Sequence, residues 1–374
     1  MIQCPAARIG DKVEDIDTPA LVVDLDAIEA NIRKMAAFAA AKGVRLRPHA
    51  KTHKCSAIAR LQIAAGAVGI CCQKVGEAEA MANAGITDVL VSNEVVGRRK
   101  LDRLAALSKR IRVAVCADHP DNIDDIDAAA ARFDTVLTVL VEIDVGAGRC
   151  GAQPGEEALS LARRIAAAPN LRFGGIQAYH GPAQHKRTYE ERREMIGKAG
   201  QEVRRTIDLL EAEGLSSDIV GGAGTGSYAF EAASGIWNEL QVGSYVFMDQ
   251  DYALNLAEDG QRVGEFRHSL TIKTTVCSTP GPDRAIGDAG LKAYSTDSGL
   301  PALLDCPAGE VVKASDEHTT IHFANPEDRP ALGQALHLIP GHCDPTVNLH
   351  DWIIGVRGGR VECIWPVDAR GALF

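Results

Sequence analysis

The chain has 374 residues, 46% of them hydrophobic, and a formal net charge of -10 at pH 7. That length accommodates an α/β barrel plus a second domain, and the acidic balance argues against a nucleic-acid partner. No apolar run is long enough to span a bilayer and no basic-then-apolar leader opens the chain, so we expect no membrane association and a cytoplasmic protein.

Ala20-Leu-Val-Val-Asp24 reads as a strand. Asp26 is read as the cap of a helix whose apolar face carries Ile28, Ile32, Met35 and Ala39, with Gly43 as its stop. From there strand-like runs recur at Val44–Pro48, Ala67–Cys72, Asp88–Ser92, Ile111–Cys116, Val136–Ile143, Gly174–Tyr179, Asp218–Gly221 and Glu239–Tyr245. Helical patterns fill most of the gaps. The clearest runs from Thr188 to Glu213, with Ile196, Ala199, Val203, Ile207 and Leu210 on one face. Eight βα units point to a closed barrel, with a doubly wound open sheet as the alternative. Near Gly264 the pattern changes to short β-prone runs at Leu270–Cys277, Glu310–Lys313 and Thr319–Phe323. A final hairpin pairs Trp352–Arg357 with Arg360–Trp365 across Gly358-Gly359. The predicted fold is α/β: a (β/α)8 TIM barrel over 27–262, and a smaller, mostly β domain made of 1–26 plus 263–374. The ten cysteines lack finger-like spacing and read as reduced, mostly buried thiols.

Three stretches carry chemistry. The first is Arg47-Pro-His-Ala-Lys-Thr-His-Lys54, just past the first barrel strand, where α/β folds place their sites. Lys51, crowded by His49, His53, Lys54 and Arg47, is expected to lose its proton more easily than a free lysine. A neutral amine there could form a Schiff base with a carbonyl. The second is Gly221-Gly-Ala-Gly-Thr-Gly-Ser227 after the seventh barrel strand, a candidate phosphate cup that Gly243 and Ser244 could close; a flexible turn fits the same glycines. The third is Pro340-Gly-His-Cys-Asp-Pro-Thr346. If it is extended, His342 and Asp344 share a face and Cys343 points away, giving a half-open site for Mn²⁺, Mg²⁺ or Zn²⁺; a backbone-bonded turn is the alternative.

Taken together these residues resemble the fold-type III, alanine-racemase-like pyridoxal-phosphate enzymes, within them the D-threonine aldolase / D-serine dehydratase-like branch. The matching strings include Asp17-Thr-Pro19, Gly69-Ile-Cys-Cys-Gln-Lys-Val75, Val91-Ser-Asn-Glu-Val95 and Glu142-Ile-Asp-Val-Gly146. They continue through Gly148-Arg-Cys-Gly151, Gln177-Ala-Tyr-His-Gly181, Gly224-Thr-Gly226 and Asp316-Glu-His318. The resemblance implies that Lys51 carries pyridoxal 5'-phosphate, with Gly224, Thr225, Gly226, Gly243 and Ser244 at its phosphate. It places Tyr179, Arg149, Gln73 and Asn93 around the ring, and His342 and Asp344 on a divalent metal. It also implies a homodimer.

The resemblance bears on reaction type. Dehydratase members of the branch show His-x-Cys at the metal and aldolase members His-x-Asp, so Asp344 favours retro-aldol cleavage of D-3-hydroxy amino acids such as D-threonine to glycine and an aldehyde. Cys343 leaves a shifted ligand set open. D-3-hydroxyaspartate is the second substrate candidate. Dehydration of D-serine or D-threo-3-hydroxyaspartate is the second reaction, and a non-catalytic cofactor carrier the remote one. His185 is the candidate base, with His180 as its local competitor; Asp316 and His318 are expected to orient substrate or metal water, and Lys54 is a further helper.

Overall fold

The computed structural model describes residues 4–374, so the first three residues of the predicted 1–26 segment lie outside the described residues. The chain opens with β1 (Ala20–Asp24) and then builds eight strands, β2 (Arg45–Leu46), β3 (Ile70–Cys72), β4 (Asp88–Glu94), β5 (Arg112–Ala117), β6 (Leu137–Glu142), β7 (Leu171–Gln177), β8 (Ile219–Gly222) and β9 (Glu239–Leu240). These eight are parallel, in the order β2-β9-β8-β7-β6-β5-β4-β3. The two ends of that order also meet: Val68 N–H donates to the Leu46 carbonyl and Cys71 N–H to that of Pro48, both at 2.9 Å. The sheet is therefore a closed barrel rather than an open doubly wound one.

Strand alternation builds its two faces. Ile70, Val89, Val91, Val115, Val139 and Val141 pack outward against the helices, while Cys71, Leu90, Cys116 and Leu140 form a separate small cluster inside. Polar layers fill the interior above and below that cluster. Arg47 pairs with Glu239 at 2.9 Å and with Asp88 at 2.5 Å, and Gln177 and Gln241 exchange two amide hydrogen bonds of 2.7 and 3.0 Å.

Helices cover the outside. Tyr189–Ala212 buries Ile196, Ala199, Val203, Ile207 and Leu210, the face its periodicity predicts, and opens on a Thr188/Glu191 capping box. Each large aliphatic side chain so buried contributes roughly 2 kcal/mol. The helix Leu25–Lys42 is capped by Asp24, whose carboxylate accepts from Ala27 N–H at 3.0 Å, not by Asp26. Because β1 runs directly into this helix, the cap falls on the last residue of the strand.

The remaining strands are β10 (Leu270–Ser278), β11 (Arg284–Gly287), β12 (Ala302–Leu303), β13 (Gly309–Ala314), β14 (Thr319–Phe323), β15 (Ala335–Ile339), β16 (Trp352–Arg357) and β17 (Arg360–Pro366). With β1 they form one sheet in the order β13-β14-β11-β10-β1-β16-β17, and β15 bridges β10 and β12. The first strand of the chain thus belongs to the second sheet, antiparallel to β10 and parallel to β16. Gly358 and Gly359 turn the last hairpin with φ of 56° and 75°, the left-handed pair that a two-residue loop of this kind requires. Among the described residues no helix is long and apolar enough to cross a membrane, and all ten cysteines are unpaired.

Candidate active site

The C-terminal ends of the barrel strands and one loop of the β domain enclose a cavity of about 710 Å³, open solvent at its mouth included. Lys51 reaches into it from the turn after β2, Gln73 from the end of β3, Ser92 from β4, Arg149 from the loop after β6, and Tyr179 and His185 from the segment after β7. The loops after β8 and β9 add Gly224, Thr225, Gly243 and Ser244. The β domain adds His342 and Asp344.

Lys51 Nζ lies 3.3 Å from Asp344 Oδ2. That carboxylate raises the lysine's pKa above its ordinary value, outweighing burial. The expectation of an easily deprotonated Lys51 is overturned, because its supposed crowd of cations is dispersed. Arg47 points into the other end of the barrel toward Glu239 and Asp88. Lys54 is buried on Glu77 at 2.5 Å, outside the cavity wall, and is no helper at the site. Burial pushes His49 well down and His53 down to about 4, so both rings are neutral.

Burial pushes Asp344 up as well, but Lys51 and His342 outweigh it and hold the carboxyl below its ordinary value. Its Oδ1 is buried without a hydrogen-bond partner among the described residues and lies 3.9 Å from His342 Nε2. His342 Nδ1 is in turn 2.7 Å from Asp297 Oδ2. An imidazole oriented by a carboxylate, facing an unsatisfied carboxylate oxygen, suits a divalent cation. No group of three or more metal-binding side chains occurs among the described residues, so the protein would supply only this pair and leave positions open for other ligands. The pair does not arise from an extended segment, as expected. Cys343–Val347 is a short helix with His342 as its N-cap, and the turn into the helix brings residues 342 and 344 together. Cys343 is buried with its thiol on the Met248 carbonyl at 3.6 Å, and burial pushes its pKa up.

The glycine loops suit an anion. None of the hydrogen bonds among the described residues uses the N–H of Thr225, Gly243 or Ser244, and all three residues line the cavity. Thr225 Oγ1 accepts from Tyr245 N–H at 2.9 Å, tying the two loops together. Gly226 differs from its expected role. Its N–H donates to Gln184 Oε1 at 2.9 Å and it faces away from the cavity. A Cβ there would meet the Gln184 carbonyl oxygen at 2.5 Å, so it is a close-packing glycine.

Around the remaining wall, Gln73 Nε2 lies 2.8 Å from His49 Nε2 and donates to the Ser92 carbonyl at 3.1 Å. Asn93 does not line the cavity. It stands behind Gln73, donating to its carbonyl at 3.0 Å. The Arg149 guanidinium lies 5.7 Å from the Tyr179 ring centroid and 3.5 Å from Glu142. Burial, then the neighbouring Glu94, push Glu142 up to about 8. His185 lines the cavity, whereas His180 is buried outside it with Nδ1 accepting from Ala183 N–H at 3.3 Å. Asp316 and His318 are not in this cavity. They sit on the exposed turn between β13 and β14. Sequence reasoning missed Gln177, Gln241 and Asp297. The two glutamines sit at strand ends already suspected, but Asp297 has no local signal and acquires its role only by folding against residue 342.

A family model described as "Alanine racemase, N-terminal domain" matches residues 23–251, and one described as "Putative serine dehydratase domain" matches 269–356. A 3-hydroxy-D-aspartate aldolase of Paracoccus denitrificans (strain Pd 1222) is 50% identical over 364 residues, 96% of this chain and 93% of the relative. A D-threonine aldolase of Arthrobacter sp is 46% identical over 367 residues, 98% of this chain and 96% of the relative. The crystal structure of D-threonine aldolase from Filomicrobium marinum, 48% identical, superposes with a TM-score of 0.97 over the full length of both chains.

Proposed function

Since the chain belongs to the D-threonine aldolase / D-serine dehydratase-like family of alanine-racemase-fold enzymes, we propose that it is a pyridoxal-phosphate- and divalent-cation-dependent aldolase acting on D-3-hydroxy amino acids. One observation carries this reading. The Lys51 amine and an oriented histidine, His342, converge on the same carboxylate, Asp344, inside a cavity that also holds unengaged backbone N–H groups and His185. The cofactor lysine and the cation pair therefore face one substrate.

Pyridoxal phosphate, when bound, supplies the aldehyde that joins the substrate amine and a ring that takes up the electron pair left at Cα. Thr225, Gly243 and Ser244 would offer their N–H groups to its phosphate, and Lys51 would hold its aldehyde end. A divalent cation on His342 and Asp344, with Mn²⁺, Mg²⁺ and Zn²⁺ as candidates, would lower the pKa of the substrate β-hydroxyl. His185 takes the hydroxyl proton. The O–H pair becomes the carbonyl bond as Cα–Cβ breaks, an aldehyde leaves, and a proton returned to Cα completes glycine. The buried, neutral Cys343 thiol directed at a backbone carbonyl supports an Asp344 ligand, and with it the aldolase over the dehydratase.

D-3-hydroxyaspartate is a second substrate reading. The half-exposed guanidinium of Arg149 in the cavity offers a partner for a second carboxylate. The proposal includes a homodimer, in which the exposed turn of Asp316 and His318 would serve the other copy, and a cytoplasmic site, which unpaired thiols suit. Purified protein with cofactor and Mn²⁺ would be given D-threonine, D-3-hydroxyaspartate and D-serine. Glycine with acetaldehyde or glyoxylate is the expected result, and keto acid with ammonia as the sole products would reject the aldolase.

A further inference from the structure

His185 ends the short turn Pro182–His185, and its side chain is half exposed in the cavity. An imidazole so loosely covered has two tautomers and several rotamers open to it. Two contacts restrict it. Its Nδ1 lies 2.5 Å from Asp251 Oδ2, and its ring packs on Tyr252 with centroids 5.6 Å apart and planes tilted by 37°.

Asp251 is itself fixed. It is buried on the short helix Gln250–Ala253. The Arg187 guanidinium holds its other oxygen, and also donates to the Asp251 carbonyl at 2.7 Å and to Asn255 Oδ1 at 2.9 Å. The Asp251 N–H donates to the Gly341 carbonyl at 3.2 Å, and Gln250 N–H to that of Pro340 at 3.0 Å. The backbone that carries this carboxylate is thereby bonded to the chain immediately before His342.

We propose that Asp251 is the positioning residue for proton transfer: it holds His185 as the Nδ1–H tautomer, so that the Nε2 lone pair is presented to the cavity. The role rests on the reading of His185 as the base. Burial alone would push Asp251 up, but His185 and Arg187 outweigh it and hold it down to about 2. An ionised carboxylate only accepts hydrogen bonds, so the proton of the shared bond resides on Nδ1. In the reaction the β-hydroxyl proton moves to Nε2, the O–H pair becomes the new C=O bond, and the imidazolium formed lies against a compensating negative charge. Arg187 keeps that charge in place between turnovers, and the Gly341 bond keeps the base in register with the His342/Asp344 pair.

Asp251→Asn tests this, because its amide can donate to Nδ1 and invert the tautomer. We expect kcat to fall about 10²-fold or more with KM within about threefold and cofactor absorbance unchanged. Asp251→Glu should recover part of the rate. In a His185→Ala background, Asp251→Asn should cost nothing further. Ring ¹⁵N shifts of His185, read without turnover, should show Nδ1–H in the parent and Nε2–H in the variant. If Asp251→Asn does not fold, Arg187→Gln should give the same kcat-against-KM split at smaller size. A wild-type kcat in the folded variant, an equal loss with and without His185, or an Nε2–H parent would overturn the proposal. A wild-type rate in His185→Ala would sink the reading of His185 as base instead, and the ¹⁵N shifts would still decide whether Asp251 fixes the ring.

Discussion

Glu231 stands directly behind the Gly221–Ser227 loop, on the helix Tyr228–Ser234. Its Oε1 accepts from the Ser227 hydroxyl at 2.7 Å, and that hydroxyl accepts from Gln184 at 2.6 Å. Its Oε2 is buried with no partner among the described residues. Burial pushes its pKa from the ordinary 4.5 up to about 7. The folded value lies above the unfolded one, so the contribution to stability is intact below about pH 4.5 and is lost as pH rises through 7. A shift of that size corresponds to about 3 kcal/mol across the window. Glu231→Gln stays neutral throughout and can still accept from Ser227. Against the parent, it should be more stable by up to about 3 kcal/mol at pH 8 and nearly equal at pH 4.5. Burial also raises Asp249, to about 7, and Glu142, to about 8. Their contributions cancel when variant and parent are compared at one pH. Urea or thermal unfolding of the cofactor-free protein at the two pH values measures the difference directly. An advantage equal at both, or a variant less stable at pH 8, would refute the assignment of a burial penalty to this carboxyl.

Lys51→Ala should abolish the visible absorption of bound cofactor and its trapping by borohydride. Lys54→Ala should keep both while losing about 3–5 kcal/mol of stability, because it leaves the buried Glu77 with backbone hydrogen bonds but no counter-charge. Persistent trapping in Lys51→Ala would move the covalent site. Chelation with EDTA should stop turnover but leave the cofactor colour, and Asp344→Ala should behave the same way. Cys343→Ala should keep most of the rate, since its thiol faces Met248. The reverse ranking of Asp344 and Cys343 would transfer the metal role to sulfur.

The barrel was legible because its strands announce themselves twice, as β-branched runs and through the helices between them. Its closure was less so, since β2 and β9 have only two residues each and the seam is made by backbone bonds from Val68 and Cys71. The octapeptide from Arg47 to Lys54 located the site but misled on its electrostatics. Sequence neighbours there diverge in space: of the three cationic side chains, Arg47 goes to Glu239, Lys54 to Glu77, and Lys51 into the cavity. The charge that sets the Lys51 pKa comes from Asp344, far along the chain in another domain. Asp251 and Asp297 were invisible for the same reason. A carboxylate that orients a histidine needs no motif of its own, only a fold that delivers it.

Charge is divided between the two domains in a way that bears on the proposed chemistry. The barrel side of the cavity offers cations and neutral polar groups: Lys51, Arg149, Gln73, Gln177, and a His49 kept neutral by burial. The negative charge nearest Lys51 enters on the β-domain loop as Asp344. The barrel side alone carries the groups proposed to bind the cofactor but neither half of the His342/Asp344 pair. Under the proposed reaction, that loop decides which bond at the substrate breaks, because it holds the hydroxyl whose deprotonation commits Cα–Cβ to cleavage. Asp251 then matters for a geometrical reason. It is bonded through backbone to Gly341 and through its carboxylate to His185, which ties the proposed base to the chain beside the proposed cation pair. A shift of the loop that weakened the hold on the hydroxyl would displace the base along with it, and the two would fail together rather than leave a site that activates the hydroxyl without taking its proton.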